Sequence, residues 1–288
     1  MIRVCISGLG KTGKEIAKAL LGQDDIKLVS AICSPESDKR GKDLGEVIGY
    51  YNTGIIIEGS DKLEQVIFKT KPDVAVDFSN PEAALRNARV FSRMKVNVVI
   101  GTTGFSTIGL KRLFVLANTY RNGIVYTPNI TLGVNVLMLL ANLAANILNN
   151  YDFQITEIHH KHKKDSPSGT AKKIEAEIKK GLAASGNTPA DIQIPIAAVR
   201  AGGVVGKHQV MIIGDDDKLE ISHESFSRKA FALGAIKAVK FVKGKTGYFE
   251  MSDVLNLKGV LNDYIEKDSN PLRKQYAIYI QKQETKAQ

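Results

Sequence analysis

The stretch Ile2–Leu21, "IRVCISGLGKTGKEIAKALL", decides the fold. Its first six residues, "IRVCIS", are a short apolar run rich in β-branched residues, and "KEIAKALL" is built from helix formers. Between them "GLGKTG", Gly8 to Gly13, reads Gly-x-Gly-x-x-Gly. Glycines let a backbone turn tightly and approach a pyrophosphate, and a helix N-terminus supplies N–H donors and a positive dipole. The alternative is a tight packing turn with no ligand. The surrounding pattern argues for a dinucleotide cradle made by Gly8, Gly10, Lys11, Thr12 and Gly13.

Working outward, "KLVSAIC" (27–33), "DVAVDFS" (73–79), "VNVVIG" (96–101) and "GIVYTP" (123–128) repeat the short apolar pattern of strands buried on both faces of a parallel sheet. Helix-like segments separate them. The clearest is "NPEAALRNARVFSR", with Asn80 as N-cap and Pro81 at the first helical position. This βαβ rhythm predicts an N-terminal Rossmann-type doubly wound α/β domain over residues 1–130.

The second half follows a different rhythm. "FQITEIH" (153–159) alternates as a half-buried strand does, and "HQVMIIGDDDKLEISHES" (208–225) predicts an antiparallel hairpin about "GDDDK". A second, α+β domain is expected over 131–240. Residues 241–288 are expected to return to the first domain and end in a tail. "GVNVLMLLANLAANIL" (133–148) is too short for a membrane span and carries Asn135, Asn142 and Asn146, so a buried helix is expected.

Composition sets limits on partners. Hydrophobic residues at 43% and charged residues at 24% describe a globular chain. Two cysteines, Cys5 and Cys33, lie in strand-like runs and form no disulfide framework. No signal peptide is expected, so the location expected is a reducing cytoplasm. A net charge of +10 suits acidic small molecules or a lysine-solvated surface. Zinc-finger spacing and aromatic–basic RNA-binding motifs are missing, so nucleic acid is not an expected partner.

An acidic residue at the end of the second strand would accept the adenosine ribose 2′-hydroxyl. Here Cys33 and Ser34 stand in that place, followed by Lys39, Arg40 and Lys42. Ser34, Lys39 and Arg40, with Lys11 from the glycine loop, suit a 2′-phosphate. NADPH is therefore the expected cofactor, with NADH possible; the alternative is that the lysines are solvated and Glu36 serves NADH. Two further loops, "GTTGF" (101–105) and "TPNITLGVN" (127–135), follow strand ends, where open α/β sheets bind ligands.

"EIHHKHKKDSPSGTA", Glu157 to Ala171, is the densest polar stretch and holds three of the five histidines. It runs from a strand end into a helix start with Ser168 as N-cap. Ser168, Gly169 and Thr170 offer a hydroxyl and open backbone N–H groups to a carboxylate. His159, His160 and Lys163 supply cations or proton donors beside it. A metal site is not expected, because lysines beside the histidines would repel a cation.

This stretch resembles the signature of the 4-hydroxy-tetrahydrodipicolinate reductase family, formerly dihydrodipicolinate reductase. The resemblance extends to "GTTGF", "DFSNPEA" (77–83), "TPNITLGVN" and "VRAGGVVGKHQV" (199–210), and covers roughly residues 1 to 257. It implies a Rossmann domain with an α+β substrate and oligomerisation domain, assembled as a homotetramer. The implied reaction is NAD(P)H-dependent reduction of a cyclic dicarboxylate in lysine and diaminopimelate synthesis. Carried over by motif, His159 and Lys163 are the acid/base pair, and His160, Lys163, Ser168, Gly169 and Thr170 hold the substrate. Phe78, Ser79, Gly101, Thr102, Thr103, Pro128, Asn129 and Ile130 join the cofactor set.

The chain departs from that pattern in three places. Its glycine loop is one residue shorter, Cys33-Ser34 replaces an acid–Arg pair, and Ile130-Thr131 replaces an aromatic–serine pair. The tail after Lys258 has no implied role. Rival readings are a related amine or imine dehydrogenase, such as one acting on diaminopentanoate or aspartate, and a non-enzymatic NADPH sensor or nucleic-acid binder. The His-His-x-x-Lys loop argues against the dehydrogenases. The sensor or binder would need no proton donor beside an anion site.

Overall fold

The computed structural model describes residues 1–186 and 192–267. The N-terminal half alternates strand and helix: β1 (Ile2–Ser7), α1 (Lys11–Leu21), β2 (Ile26–Cys33), α2 (Leu44–Ile48), β3 (Ile57–Gly59), α3 (Leu63–Thr70) and β4 (Val74–Asp77). It continues with α4 (Pro81–Arg93), β5 (Asn97–Ile100), α5 (Thr107–Tyr120) and β6 (Gly123–Tyr126). Then come α6 (Leu132–Ile147), β7 (Asp152–His159), α7 (Gly169–Ala184), β8 (Ile196–Arg200), β9 (Gly206–Ile213), β10 (Lys218–Ser225), α8 (Lys229–Val242), β11 (Gly247–Phe249) and α9 (Met251–Val254).

The first sheet runs β11-β6-β5-β4-β1-β2-β3, with every pairing parallel. Its central strands are largely apolar because helices cover both faces. Val74, Ala75, Val76, Val98, Val99 and Ile100 are all fully buried. Register aligns the carboxyl ends: Ser7 lies opposite Asp77, Asp77 opposite Ile100, and Ile100 opposite Tyr126. The loops beginning at Gly8, Phe78, Gly101 and Thr127 therefore leave the sheet along one edge. Asn80 caps α4 by accepting the Ala83 N–H, with Pro81 in the first turn.

The second sheet runs β10-β9-β7-β8, with β7 and β8 parallel and the other pairs antiparallel. The β9–β10 hairpin turns at residues 214–217. Helices α6 and α7 cover one face, and Leu137, Met138, Ile155, Ile174, Ile178 and Val210 fill the layer between. The asparagines inside apolar α6 have structural partners: Asn142 and Asn146 donate to the carbonyls of Glu177 and Gly181 on α7. Gly181 permits this approach, since a Cβ there would lie 2.2 Å from the Asn142 carbonyl oxygen.

The chain rejoins the first sheet through α8, which packs on α1, β4, β5 and β6, and through β11 at the sheet edge. This return begins at Lys229, where α8 covers the sheet. Helix α10 (Leu257–Lys267) belongs to a separate unit that begins at Leu255. The part of the expected tail spanning 268–288 lies outside the described residues. Among the described residues, no helix is long and apolar enough to cross a membrane.

Candidate active site

The glycine loop is shaped by close backbone approach. Gly8 has φ +87°, and a Cβ on it would lie 2.4 Å from the Phe78 carbonyl carbon. A Cβ on Gly13 would lie 1.8 Å from the Gly8 carbonyl oxygen, so α1 starts against the end of β1. Gly10 differs: nothing lies within 4 Å of its Cβ position, which opens onto the cleft at the N-terminus of α1. This is the space a pyrophosphate needs, and the residues present fit a dinucleotide.

Phe78 separates the glycine loop from the 101–103 loop, and a Cβ on Gly101 would strike its ring at 2.0 Å. Beneath both loops, buried Asp77 accepts hydrogen bonds from the Ser79 N–H (3.0 Å) and Oγ (2.5 Å) and from Asn87 Nδ2 (2.9 Å). The 127–131 loop is pinned by Asn135 Nδ2, which donates to the carbonyls of Asn129 and Thr131, each at 2.7 Å. Gly234 on α8 lets the Ile130 carbonyl approach to 1.8 Å of its Cβ position.

Opposite these loops stands the end of β7. Its inward positions are Phe153, Ile155, Glu157 and His159, so two polar residues end an otherwise apolar face. Register places Glu157 opposite His208 on β9 and His159 opposite Arg200 on β8. Glu157 is fully buried; its Oε1 accepts from Arg200 Nη2 (2.8 Å) and the Ser168 N–H (2.9 Å), and its Oε2 accepts from Ser168 Oγ. His159 Nδ1 and His208 Nε2 each lie 3.5 Å from Oε2. Burial alone would raise the Glu157 carboxyl, but bonds from His208, Ser168 and Arg200 outweigh it and hold the group far below the usual range. Burial, reinforced by His208, Lys163 and Arg200 and opposed by Glu157, lowers His159 to about 4.

A single cleft of about 440 Å³ brings most expected residues together. Gly10, Lys11, Thr12 and Gly13 line it with Phe78, Ser79, Gly101, Thr102, Thr103, Pro128 and Ile130, and His159, His160, Lys163 and Thr170 close the other wall. Asn129 accepts from Thr170 Oγ1 at 2.5 Å, tying the two walls to each other. His160 Nδ1 is buried without a hydrogen-bond partner among the described residues. Lys163 Nζ lies 2.8 Å from the Asp165 carboxylate. Burial raises the Asp165 carboxyl, but Lys163 and the N–H groups of Asp165 and Gly169 overcome this and lower it. Lys163, expected to receive a substrate carboxylate, is thus already paired with one from the chain itself.

Seven expected residues are not among those lining the cleft: Gly8, Asn129 and Gly169, which lie next in sequence to lining residues or, for Gly8, start the glycine loop, and Ser168, Ser34, Lys39 and Arg40. Ser168 is 1% exposed and is not part of the cleft wall; its hydroxyl caps α7 at the Ala171 N–H and donates to Glu157. Ser34, Lys39 and Arg40 lie beyond the end of β2, outside this cleft. Arg40 is engaged by Asp61 (2.9 Å), a carboxylate delivered just after β3 that the sequence reading did not place there. Lys39 lies 3.4 Å from Asp38. Val205, Arg228 and Phe231 also line the cleft and were not foreseen.

Glu157, His159 and His208 hold ligand atoms within 4.8 Å of one another, a spacing a cation would accept. The Glu157 carboxylate is already neutralised by Arg200 and saturated by Ser168, and Lys163 adds positive charge. This donor set favours hydrogen bonding over metal ligation.

Comparison with known proteins agrees with this geometry. Residues 2–130 match the family model of the dihydrodipicolinate reductase N-terminus, and residues 133–255 that of its C-terminus. A 4-hydroxy-tetrahydrodipicolinate reductase of Methanopyrus kandleri is 41% identical over 268 residues, covering 88% of this chain and 97% of the relative. One from Methanococcus aeolicus is 38% identical over 271 residues, covering 89% and 99%. Among solved structures, the dipicolinate-bound dihydrodipicolinate reductase from Paenisporosarcina sp. TG-14 superposes with TM-score 0.71 at 28% identity, covering 87% of this chain and 97% of that one. The chain belongs to the dihydrodipicolinate reductase family.

Proposed function

We infer that this chain is an NAD(P)H-dependent oxidoreductase that reduces 4-hydroxy-tetrahydrodipicolinate, by way of dihydrodipicolinate, to tetrahydrodipicolinate in lysine and diaminopimelate synthesis. The observation that carries this reading is the ion pair of Lys163 Nζ with a carboxylate just before α7, beside the cleft that also holds the glycine loop, His159 and His160. A substrate carboxylate takes the position of the Asp165 carboxylate. The Thr170 hydroxyl and His160 Nδ1 serve the rest of the dianion.

The reduced nicotinamide, when bound, supplies the hydride. The chain's own residues handle charge and protons. Lys163 faces the electron density that develops in the ring, where a fixed cation lowers the barrier. His159 delivers the proton. It is neutral at rest because burial and nearby cations disfavour its charge. A bound dianion counters those cations and draws a proton onto the ring.

NADPH is the preferred cofactor in this reading, with NADH also accepted. Ser34, Lys11 and Lys39 suit a 2′-phosphate, while Asp61 holds Arg40 and gives the adenosine end a carboxylate. The enzyme is proposed to act in the cytoplasm as a homotetramer. Exposed Val199, Ile213 and Leu219 give the second sheet apolar surface for assembly.

A competition experiment tests the anion site. Pyridine-2,6-dicarboxylate should compete with the cyclic substrate in the wild type. Gly169→Val should fold normally, since nothing lies within 4 Å of the Cβ position, yet lose the inhibition because its side chain crowds the amide. Unchanged competition in that variant would move the anion site elsewhere.

A further inference from the structure

Glu157 belongs to no part of the cleft wall, yet five groups converge on its carboxylate. Arg200 and the Ser168 N–H saturate Oε1, while the Ser168 hydroxyl, His159 Nδ1 and His208 Nε2 face Oε2. A buried carboxylate is retained only where such partners offset its lost hydration. Two of those partners matter for the reaction. Ser168 is the N-cap of α7, whose first amide belongs to the carboxylate site. His159 is the proton donor.

The His159 ring packs edge-on against His208, 5.1 Å between centroids, and its Nδ1 faces the Glu157 carboxylate. That nitrogen is buried and makes no hydrogen bond among the described residues, but it lies at ion-pair distance, 3.5 Å, from Glu157 Oε2, the carboxylate oxygen facing it. The other nitrogen, Nε2, lies on the side of Gly206, whose Cβ position is 3.2 Å away and whose neighbour Val205 lines the cleft. A carboxylate that accepts from one imidazole nitrogen fixes which nitrogen carries the proton.

We propose that Glu157 is the positioning residue of this site: it holds His159 as the Nδ1–H tautomer, with Nε2 toward the cleft, and through Ser168 sets the α7 N-terminus in register with it. One carboxylate thereby aligns the proton donor with the substrate-carboxylate receptor. The inference rests on the reading of His159 as donor, but the tautomer is a property of the free protein. The charged and titratable groups facing His159 are Glu157 from its own strand, His208 from β9, Arg200 from β8 and Lys163 from the following loop. Of these only Glu157 is anionic, so removing its charge makes His159 release its proton more readily.

The test is nitrogen-15 imidazole NMR of the free protein near pH 7.5, with the His159 signals assigned by their loss in His159→Gln. The wild type should show protonated Nδ1 and a pyridine-like Nε2. Glu157→Gln should mix the tautomers, lower kcat about 100-fold as for a disturbed proton donor, and leave KM for NADPH within twofold. The high-pH fall in kcat should also move to lower pH. A wild-type spectrum with the proton on Nε2 overturns the proposal, whether or not Glu157→Gln folds. So does a folded Glu157→Gln with an unchanged pH profile. A protein that shows the expected tautomer but reduces no dipicolinate precursor keeps this inference about His159 and sinks the functional reading instead.

Discussion

Gly10→Ala separates a cofactor cradle from a packing turn. The three glycines of the loop stand in different surroundings. A methyl at Gly13 would meet the Gly8 carbonyl oxygen at 1.8 Å, and one at Gly8 would meet the Phe78 backbone at 2.4 Å. Both sites are closed by the protein itself. At Gly10 nothing lies within 4 Å, and the backbone, at φ −76° and ψ −170°, suits alanine. The free protein therefore loses only the difference between Gly and Ala as N-cap of α1, roughly 0.5–1 kcal/mol. At about 2–4 °C per kcal/mol for a large domain, Tm should fall by no more than about 4 °C. The methyl stands where a pyrophosphate approaches the α1 amides. Losing one charge-assisted hydrogen bond costs about 1.5–3 kcal/mol, or about 10- to 100-fold in affinity. Thermal unfolding and fluorescence titration with NADPH and NADH measure both effects. An alanine variant that binds both cofactors as tightly as the wild type would refute the cradle and leave the glycines as packing devices.

Lys163→Ala should lower turnover roughly 10²–10⁴-fold, as expected for a positioned acid/base group, while fold and NADPH affinity stay near wild type; retention of most turnover would remove its role. The wild type should favour NADPH over NADH by about tenfold in kcat/KM, in keeping with one charge-assisted contact, and Ser34→Asp should reverse that order; a wild type preferring NADH would show that Asp61, not Ser34 and the lysines, governs the adenosine end. Acid should destabilise the fold below the ordinary histidine range. Burial favours neutral His159 and His223, so the unfolded chain takes up protons first as pH falls below 6.5, a window that for His159 extends to about 4. For His159 the loss through that window is up to about 1.4 kcal/mol per pH unit. The Glu157 contribution is present above the ordinary carboxylate value of 4.5 and is lost only in stronger acid. Urea midpoints measured between pH 8 and 4 follow these losses, and a flat profile from pH 7 to 5 would contradict the buried-histidine account.

The strands of the first sheet are legible because burial on both faces leaves continuous apolar runs such as Val98 to Ile100. The edge strands β3 and β11 are three residues each, too short to carry a period. The cleft residues of the glycine loop, the 101–103 loop and the His-His loop are local motifs, and the alignment of strand ends brings them together. What the sequence hid is set by register between distant strands. Glu157 pairs with His208 and His159 with Arg200, contacts that span 51 and 41 positions along the chain. A signal did exist, since Glu157 interrupts the apolar face begun by Phe153 and Ile155. Ser168 is legible as a cap, but its bond to Glu157 is not. Val205, Arg228 and Phe231 reach the cleft from β-turn and α8 regions that carry no motif of their own.

The measurement that bears most directly on the central claim is a coupled assay. The unstable cyclic substrate is generated enzymatically from its precursors, and NADPH absorbance is followed on adding this chain. The account predicts NADPH oxidation that depends on the generated substrate, is inhibited by pyridine-2,6-dicarboxylate and is nearly abolished in Lys163→Ala. Absence of substrate-dependent oxidation with both NADPH and NADH, by a folded protein that binds the cofactor, would contradict it.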